Sequence, residues 1–184
     1  DVYKRQGYNN NMKENFAYYK RKIGILKITF DSKVKKIEIV DYLGENNVKS
    51  TIADNMISEI DQYLEAKRFE FSPIDIDKLT GTDFQKEVWK EVYKIPYGST
   101  RSYKDIALCI NKPRAVRAVA TAIGKNPLMI VIPCHRVIGS DGSLHGYAYG
   151  LKLKRYLLDL EDKNTKFSQK YWPQNLTRNL GSVY

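Results

Sequence analysis

The apolar residues change their spacing at one place in the chain, the stretch SPIDIDKLTG at residues 72–81. Before it, residues 22–40 alternate apolar and polar side chains around Asp31-Ser32-Lys33, a pattern typical of a β-hairpin with one exposed face. Residues 51–67 then carry apolar side chains at helical spacing. Beyond the stretch, helical spacing dominates. The sequence therefore predicts an α+β fold built from two units of different architecture.

The expected boundaries follow from this change. Residues 1–6 resemble the translated end of a sequencing adapter, so we expect them to be non-native and the native start to be missing. The other expected segments are an N-terminal α/β domain at 7–72, a linker at 73–81, a C-terminal domain at 82–162 and a tail at 163–184.

The C-terminal unit contains the outline of a helix-turn-helix. A first helix begins at the Thr82-x-x-Gln85 capping box and stops at Pro96. A second begins at Ser102, and after the break Asn-Lys-Pro a third spans about residues 114–123. Two helices joined by so short a break are typical of this motif.

The remaining elements of the unit are a strand and a closing helix. Residues 128–132 are apolar and β-rich, so we expect a buried strand. The apolar side chains of residues 153–160 predict a helix that ends near Glu161. Cys109 lies between two apolar residues and is expected in the core.

Composition narrows the class of protein without deciding it. The 31 Lys and Arg residues exceed the 21 Asp and Glu residues, which gives a net charge of +10. This excess favours a polyanionic partner, with a solvated lysine-rich surface as the alternative. Two cysteines form no disulfide framework and no zinc-ligand spacing. With no apolar run of membrane-spanning length and no leader pattern, we expect a cytoplasmic protein, associated with the nucleoid if the source is prokaryotic.

The segment Pro133-Cys134-His135-Arg136 is the candidate reactive site. A free thiol (pKa about 8.5) is mostly protonated at neutral pH, and an imidazole supported by a carboxylate can take its proton. Neighbouring residues of an extended chain point apart, so we expect a water to bridge Cys134 and His135. The alternative is an inert buried cysteine beside a satisfied histidine.

The surroundings of this segment resemble a known family. NPLMIVIPCHRVIGSDG is similar to the active-site signature of the O6-alkylguanine-DNA alkyltransferases, also called methylated-DNA–protein-cysteine methyltransferases. The likeness continues through FQKEVWKEVYKIPYGSTRSYKDIA, PRAVRAVATAIGKNP and GYAYGLKLKRYLLDLE, in unbroken order over residues 83–161. It implies a small ribonuclease-H-like α/β N-terminal domain followed by a mainly helical winged-helix DNA-binding domain that carries the active site.

The resemblance implies a catalytic role for five residues. Cys134 accepts the alkyl group, His135 takes the thiol proton through water, and Glu161 orients His135. Asn126 braces the active-site turn, and Tyr103 supports the extruded guanine and can protonate it. The activity implied is an irreversible, single-turnover transfer of a methyl or other alkyl group from O6-alkylguanine, and less readily O4-alkylthymine, after nucleotide flipping.

The resemblance also implies a DNA-binding surface. Arg117 matches the arginine finger that fills the gap in the base stack, and the thin, alanine-rich face of its helix suits close approach to the minor groove. From the sequence alone, packing on another helix explains such a face equally well. The other residues expected at DNA are Arg114, Ala118, Thr121 and Ser102.

The substrate pocket is expected at Tyr147, Ala148, Val137 and Met129. Most relatives have Ser-Gly-Gly after the pocket tyrosine, whereas this chain has Ala148-Tyr149-Gly150. The hydroxyl group is lost, and Tyr149 is expected to narrow the rim. Bulky adducts should therefore fit less well than methyl.

The expected partner is double-stranded DNA that contains O6-alkylguanine, bound by a monomer without a cofactor, a metal or a membrane. One rival is a non-catalytic helix-turn-helix module, which leaves the Pro-Cys-His segment and Glu161 unexplained. Another is a cysteine hydrolase that uses Cys134 and His135, which gives the helix-turn-helix no purpose.

Overall fold

The computed structural model describes the backbone of residues 14–171 and the side chains of residues 14–165. The helices are α1 (Thr51–Leu64), α2 (Asp83–Tyr93), α3 (Tyr103–Cys109), α4 (Val116–Gly124) and α5 (Leu151–Tyr171). The strands are β1 (Asn15–Arg21), β2 (Gly24–Phe30), β3 (Val34–Val40), β4 (Arg101–Ser102) and β5 (Val137–Ile138). Short 3-10 turns lie at Ile76–Lys78 and Cys134–Arg136. The expectations for residues 1–6 and for the tail beyond Tyr171 fall outside the described residues.

The mixed α+β fold is confirmed, and it begins with a three-stranded antiparallel sheet. The expected hairpin is β2–β3, and β1, which the periodicity did not indicate, pairs with the other side of β2. Alternate residues such as Leu26, Ile28 and Ile37 are buried beneath α1. Since only one face of the sheet is covered by this helix, the alternating pattern of the sequence is what the packing requires.

Helix α1 starts where expected and ends earlier than expected. The Ser50 side chain accepts a hydrogen bond from the N–H of Ile52 and caps the first turn. The helix was expected to reach Lys67 but ends at Leu64. Ala66 adopts a left-handed φ of 55°, and its N–H bonds to Tyr63 O, so the helical ladder stops there.

Both capping boxes in the second unit are formed. Thr82 and Gln85 exchange hydrogen bonds at the start of α2, and Ser102 and Asp105 do the same at the start of α3. Helix α4 begins at Val116, two residues later than expected. The indole N–H of Trp89 donates to Ala122 O at 2.8 Å, which ties α4 to α2. Helices α3 and α4 thus lie against α2 as a compact trio.

The segment at 128–132 is buried as expected but is not a strand. The side chain of Asn126 accepts from Leu128 N and donates to Ile132 O, so it closes a loop around these residues. Ile130 has φ 70°, which breaks an extended run. Two isolated parallel bridges remain: Met129 pairs with Ile132 inside the loop, and Leu128 pairs with Ile37 of β3, which joins this loop to the N-terminal sheet.

Two further expectations were wrong. Cys109 is exposed, because it lies on the outer face of α3 whereas Ile106 and Ile110 point inward. Helix α5 continues past Glu161 to Tyr171. The buried apolar residues form one cluster that runs through both units and includes Ile76 and Leu79 of the expected linker. Within the described residues, no helix combines the length and apolar character needed to cross a membrane.

Candidate active site

Cys134 and His135 lie on a tight turn rather than on an extended strand. After the loop closed by Asn126, the N–H of Cys134 bonds to Ile132 O and that of Arg136 to Pro133 O. The chain then enters β5, which pairs in parallel with β4. Because β4 leads directly into α3, this pairing brings Tyr103 into the electrostatic surroundings of Cys134.

The carboxylate of Glu161 lies at the centre of a buried polar network. His135 Nε2 is 2.8 Å from Glu161 Oε1, and both side chains are almost fully buried. Arg136 Nε donates to both carboxylate oxygens, and Arg136 Nη2 also donates to Oε1, at distances of 2.9 to 3.1 Å. The N–H of Gly98 donates to Oε2 at 2.9 Å. The sequence analysis expected Glu161 to orient His135, and this contact is present; the ion pair between Arg136 and Glu161 is an additional one.

The network sets the charge state of its members. Burial alone would raise the pKa of Glu161, but the hydrogen bond from His135 and the charge of Arg136 outweigh it and hold the pKa at about 2. Burial lowers the pKa of His135, and the opposing effect of Glu161 is smaller. At neutral pH the pair is therefore a carboxylate and a neutral imidazole, and the imidazole is able to accept a proton. Within residues 14–165, His135 Nδ1 has no hydrogen-bond partner.

Tyr63 is a member of this network that the sequence analysis missed. Its hydroxyl donates to Glu161 Oε1 at 2.6 Å and lies 3.2 Å from His135 Nε2. Tyr63 comes from α1, in the N-terminal unit, and is fully buried. Its place on the same helical face as Met56 and Ile60 is the signal that predicts its burial. Its contact with Glu161, 98 residues away, had no signal in the sequence.

The sulfur of Cys134 is held by neutral groups. Asn126 Nδ2 donates to Sγ at 3.1 Å. The hydroxyl of Tyr147 lies near enough to stabilise a thiolate, although it has no regular hydrogen bond to any described nitrogen or oxygen. Burial raises the pKa of the Cys134 thiol, and these donors and the charge of Lys154 oppose it only in part. The resting residue is therefore a thiol, so its reaction requires a base.

Lys154 is a second residue that sequence reasoning missed. Its ammonium group donates to His145 O at 2.9 Å and to the hydroxyl of Tyr103 at 3.4 Å, and the side chain is fully buried. Burial lowers its pKa to about 8. Among the described residues it forms no ion pair within 4.0 Å. Lys154, Leu157 and Glu161 are all buried at positions i, i+3 and i+7 of α5, so helical periodicity contained the signal.

The residues expected at DNA lie on α4, in the turn before it and at the cap of α3. Arg114, Arg117, Ala118 and Thr121 are exposed, whereas Val119, Ala122 and Ile123 face the core. Ser102 is half-buried as the cap of α3. The sequence left two explanations open for the small side chains of α4, close approach to DNA and packing on another helix, and the side chains divide between them. Ala122 packs inward, and Ala118 and Ala120 leave a thin outer face.

The expected pocket residues are not equally accessible. Val137 and Met129 are fully buried. Tyr147 and Tyr149 are half-buried, with ring centroids 5.8 Å apart in an edge-to-face contact, and Ala148 between them is exposed. Tyr149 thus packs beside Tyr147. Within residues 14–165, no three His, Cys, Asp or Glu side chains are grouped so that they could hold a metal ion.

Sequence comparisons extend over most of the chain. Residues 83–163 match the family model described as 6-O-methylguanine DNA methyltransferase, DNA binding domain. A probable methylated-DNA–protein-cysteine methyltransferase of Acanthamoeba polyphaga mimivirus is 44% identical over 145 residues, which cover 79% of this chain and 95% of that protein. The inducible methylated-DNA–protein-cysteine methyltransferase of Bacillus subtilis is 57% identical over 106 residues, 57% of this chain and 58% of that protein.

Solved structures give the same result for the fold. The crystal structure of Mycobacterium tuberculosis O6-methylguanine methyltransferase aligns with a TM-score of 0.73 and 36% identity, covering 82% of this chain and 94% of that chain. The Mycobacterium tuberculosis OGT in complex with DNA aligns with a TM-score of 0.73 and 37% identity, covering 81% and 93%. The similarity therefore includes the N-terminal sheet as well as the cysteine segment.

Proposed function

Since the chain belongs to the family of methylated-DNA–protein-cysteine methyltransferases, we propose that it repairs DNA by direct reversal with Cys134 as the alkyl acceptor. The substrates are O6-alkylguanine and, less readily, O4-alkylthymine in double-stranded DNA. The observation that carries the proposal is the buried Glu161–His135 pair, with a neutral imidazole, next to a thiol that no disulfide occupies.

The chemical step needs no cofactor. The thiol proton passes through one water to His135 Nδ1, and Glu161 stabilises the imidazolium that forms. The sulfur attacks the alkyl carbon in line, the new S–C bond forms, and the C–O6 bond breaks with its electron pair going to the guanine. A thioether has no easy route back to a thiol, so each molecule acts once.

The leaving guanine is stabilised by a proton from Tyr103. The hydroxyl of Tyr103 accepts a hydrogen bond from Lys154, and this cation favours loss of the tyrosine proton. The same charge stabilises the developing thiolate of Cys134. Lys154 therefore acts on both the nucleophile and the leaving group. Asn126 holds the sulfur in place by donating a hydrogen bond to it.

Delivery of the base depends on α4 and on the loop that follows β5. The damaged nucleotide must leave the stack, which costs a few kcal/mol. Arg117 is exposed on α4 and fits the role of the side chain that fills the gap. Cys134 is only 6% exposed, so we expect the loop around Tyr147 to move as the base enters. Gly150, at φ 88°, lies at the end of that loop.

The proposal also covers the type of each domain, the assembly and the compartment. The antiparallel sheet with α1 fits a small ribonuclease-H-like domain, and α2–α4 with the β4–β5 pair fit a winged helix in which α3 and α4 form the helix-turn-helix. The protein acts as a monomer in the compartment that holds the DNA, and its net charge of +10 supports association with the phosphate backbone.

The intact mass of the protein after incubation with an O6-methylguanine duplex tests the proposal. We expect a permanent gain of one methyl group per molecule, located on Cys134 by peptide mapping and absent in Cys134→Ser. Cys109→Ser is the matched control, because this exposed thiol should be dispensable. A non-catalytic helix-turn-helix module would bind the duplex without a gain in mass, and a cysteine hydrolase would turn over acyl substrates.

A further inference from the structure

Helix α1 contributes a polar group to the reactive site although it lies outside the matched DNA-binding segment. Tyr63 reaches across the core from this helix. Its ring packs against Phe71 at a centroid distance of 5.6 Å and edge-on against Tyr97 at 5.9 Å, and its side chain is fully buried. A buried hydroxyl in such an apolar setting is stabilised only if it has a partner, and here the partners are Glu161 and His135.

The contacts among Tyr63, Glu161 and His135 allow only one arrangement of protons. The ionised carboxylate can only accept, so the hydroxyl of Tyr63 donates to Oε1, and His135 Nε2 must carry its proton to do the same. The lone pairs of the Tyr63 oxygen then face the Nε2–H at 3.2 Å and accept it as a second, longer bond. All three groups are satisfied only when the neutral imidazole is protonated at Nε2, which leaves Nδ1 as the acceptor.

We propose that Tyr63 is a positioning residue of the active site, which fixes the Nε2–H tautomer and the orientation of His135 through Glu161. The inference rests on the proposed function, because it concerns the base that serves Cys134. It also gives the N-terminal unit a direct part in reactivity. The bridge between Ile37 and Leu128 secures the active-site loop, and Tyr63 secures the acid and base.

The groups that influence His135 come from several elements. Tyr63 belongs to α1, the Gly98 N–H to the loop after α2, Arg136 to the turn of His135 itself, and Glu161 and Lys154 to α5. Tyr97 provides a matched control. Its hydroxyl is buried near the same network, its ring contacts the Tyr63 ring, and within the described residues the hydroxyl has no hydrogen-bond partner.

The kinetic test compares wild type, Tyr63→Phe and Tyr97→Phe under single-turnover conditions with a saturating O6-methylguanine duplex. We expect Tyr63→Phe to slow methyl gain by about tenfold, the equivalent of about 1.4 kcal/mol, and Tyr97→Phe to change it less than about twofold. Loss of a donor makes Glu161 more basic and raises the pKa of His135. The rising limb of the pH profile should therefore move up by roughly 0.5 pH units in Tyr63→Phe alone. Equal rates and superimposed profiles for the two variants would overturn the inference.

A second measurement needs no variant of Tyr63 and no reaction. The chain has only two histidines, so nitrogen NMR of the unreacted wild type can resolve His135, with His145→Gln to assign the pair. Protonation at Nε2 is expected, and protonation at Nδ1 would overturn the inference. If the wild type gained no methyl mass, the proposed function would fail, whereas the tautomer result would still test the proton arrangement inferred for His135, Glu161 and Tyr63.

Discussion

Glu161 and Lys154 are two buried charges on the same face of α5, and the protein treats them in opposite ways. The carboxylate accepts hydrogen bonds from Tyr63, Gly98, His135 and Arg136. The ammonium group has a carbonyl at 2.9 Å and a hydroxyl at 3.4 Å. Both pKa values are lowered, to about 2 and about 8. For an acid this means that the fold stabilises the charge, and for a base it means that the fold opposes it.

The difference separates a region that supports the fold from a region that serves the reaction. Around Glu161 the charges are compensated inside the protein. Around Lys154 and Cys134 the charge is under-compensated, and a thiolate or a leaving guanine would supply the missing partner. Preorganised charge of this kind favours the transition state over the resting state, at some expense of stability.

Neutralising the acid is expected to have the largest effect. Glu161→Gln leaves the guanidinium of Arg136 buried without its counterion, so we expect a loss of about 3–5 kcal/mol in the free energy of unfolding. Urea denaturation at pH 7 measures it, with the exposed neighbour Asp162→Asn as the control, which should change stability by less than about 0.5 kcal/mol. A loss below about 1 kcal/mol would mean that the fold does not stabilise the charge of Glu161, and the contrast with Lys154 would fail.

The second largest effect is expected in the pH dependence of stability, where Glu161 and His135 should lower the free energy of unfolding as the pH falls. The folded pKa of Glu161 is depressed, so its contribution is complete above its unfolded value of about 4.3 and is lost as pH falls towards 2, by roughly 3 kcal/mol. His135, whose pKa is also depressed, adds a loss that begins as pH falls below about 6.5. Urea midpoints between pH 7 and pH 3 should fall in these two windows, and the fall in the lower window should be smaller in Glu161→Gln, because only the contribution of Asp31, Asp75, Asp105 and Asp141 remains there.

Removing the other charge should divide stability from reactivity. Lys154→Met is expected to slow methyl transfer by about tenfold or more, because the thiolate and Tyr103 lose the cation. The same change should raise the free energy of unfolding at pH 7 by roughly 1–2 kcal/mol, since the fold opposes this charge. Lys152→Met, exposed on the same helix, is the control for both measurements. If Lys154→Met lost stability and kept its rate of methyl transfer, Lys154 would support the fold rather than the reaction, and the comparison with Glu161 would be wrong.

The smallest effect is expected at the rim of the reactive region. Tyr149→Ala removes the ring that packs beside Tyr147, so O6-benzylguanine should react about threefold to tenfold faster relative to O6-methylguanine in DNA. The ratio of the two rates, rather than either rate alone, is the measurement, because it cancels any loss of folded protein. An unchanged ratio would mean that Tyr149 does not restrict the adducts.

Local patterns predicted those features whose cause is also local. The hairpin around Asp31, the capping box at Thr82 and the starts of α1 and α3 are set by neighbouring residues, and each is present. Burial of residues 128–132 was predicted because it depends on composition. The prediction that they form a strand was wrong, because Asn126, two residues before them, closes a loop instead.

The sequence by itself identified the candidate acceptor thiol, the imidazole beside it and the carboxylate on the closing helix, because the family signature fixes residue types in order along the chain. Only the tertiary structure decided which groups surround them. Tyr63 meets Glu161 across 98 residues, and Lys154 lies beside Tyr103 across 51. Such contacts arise when the two units pack together, and no short-range pattern encodes the distance between residues so far apart in the chain.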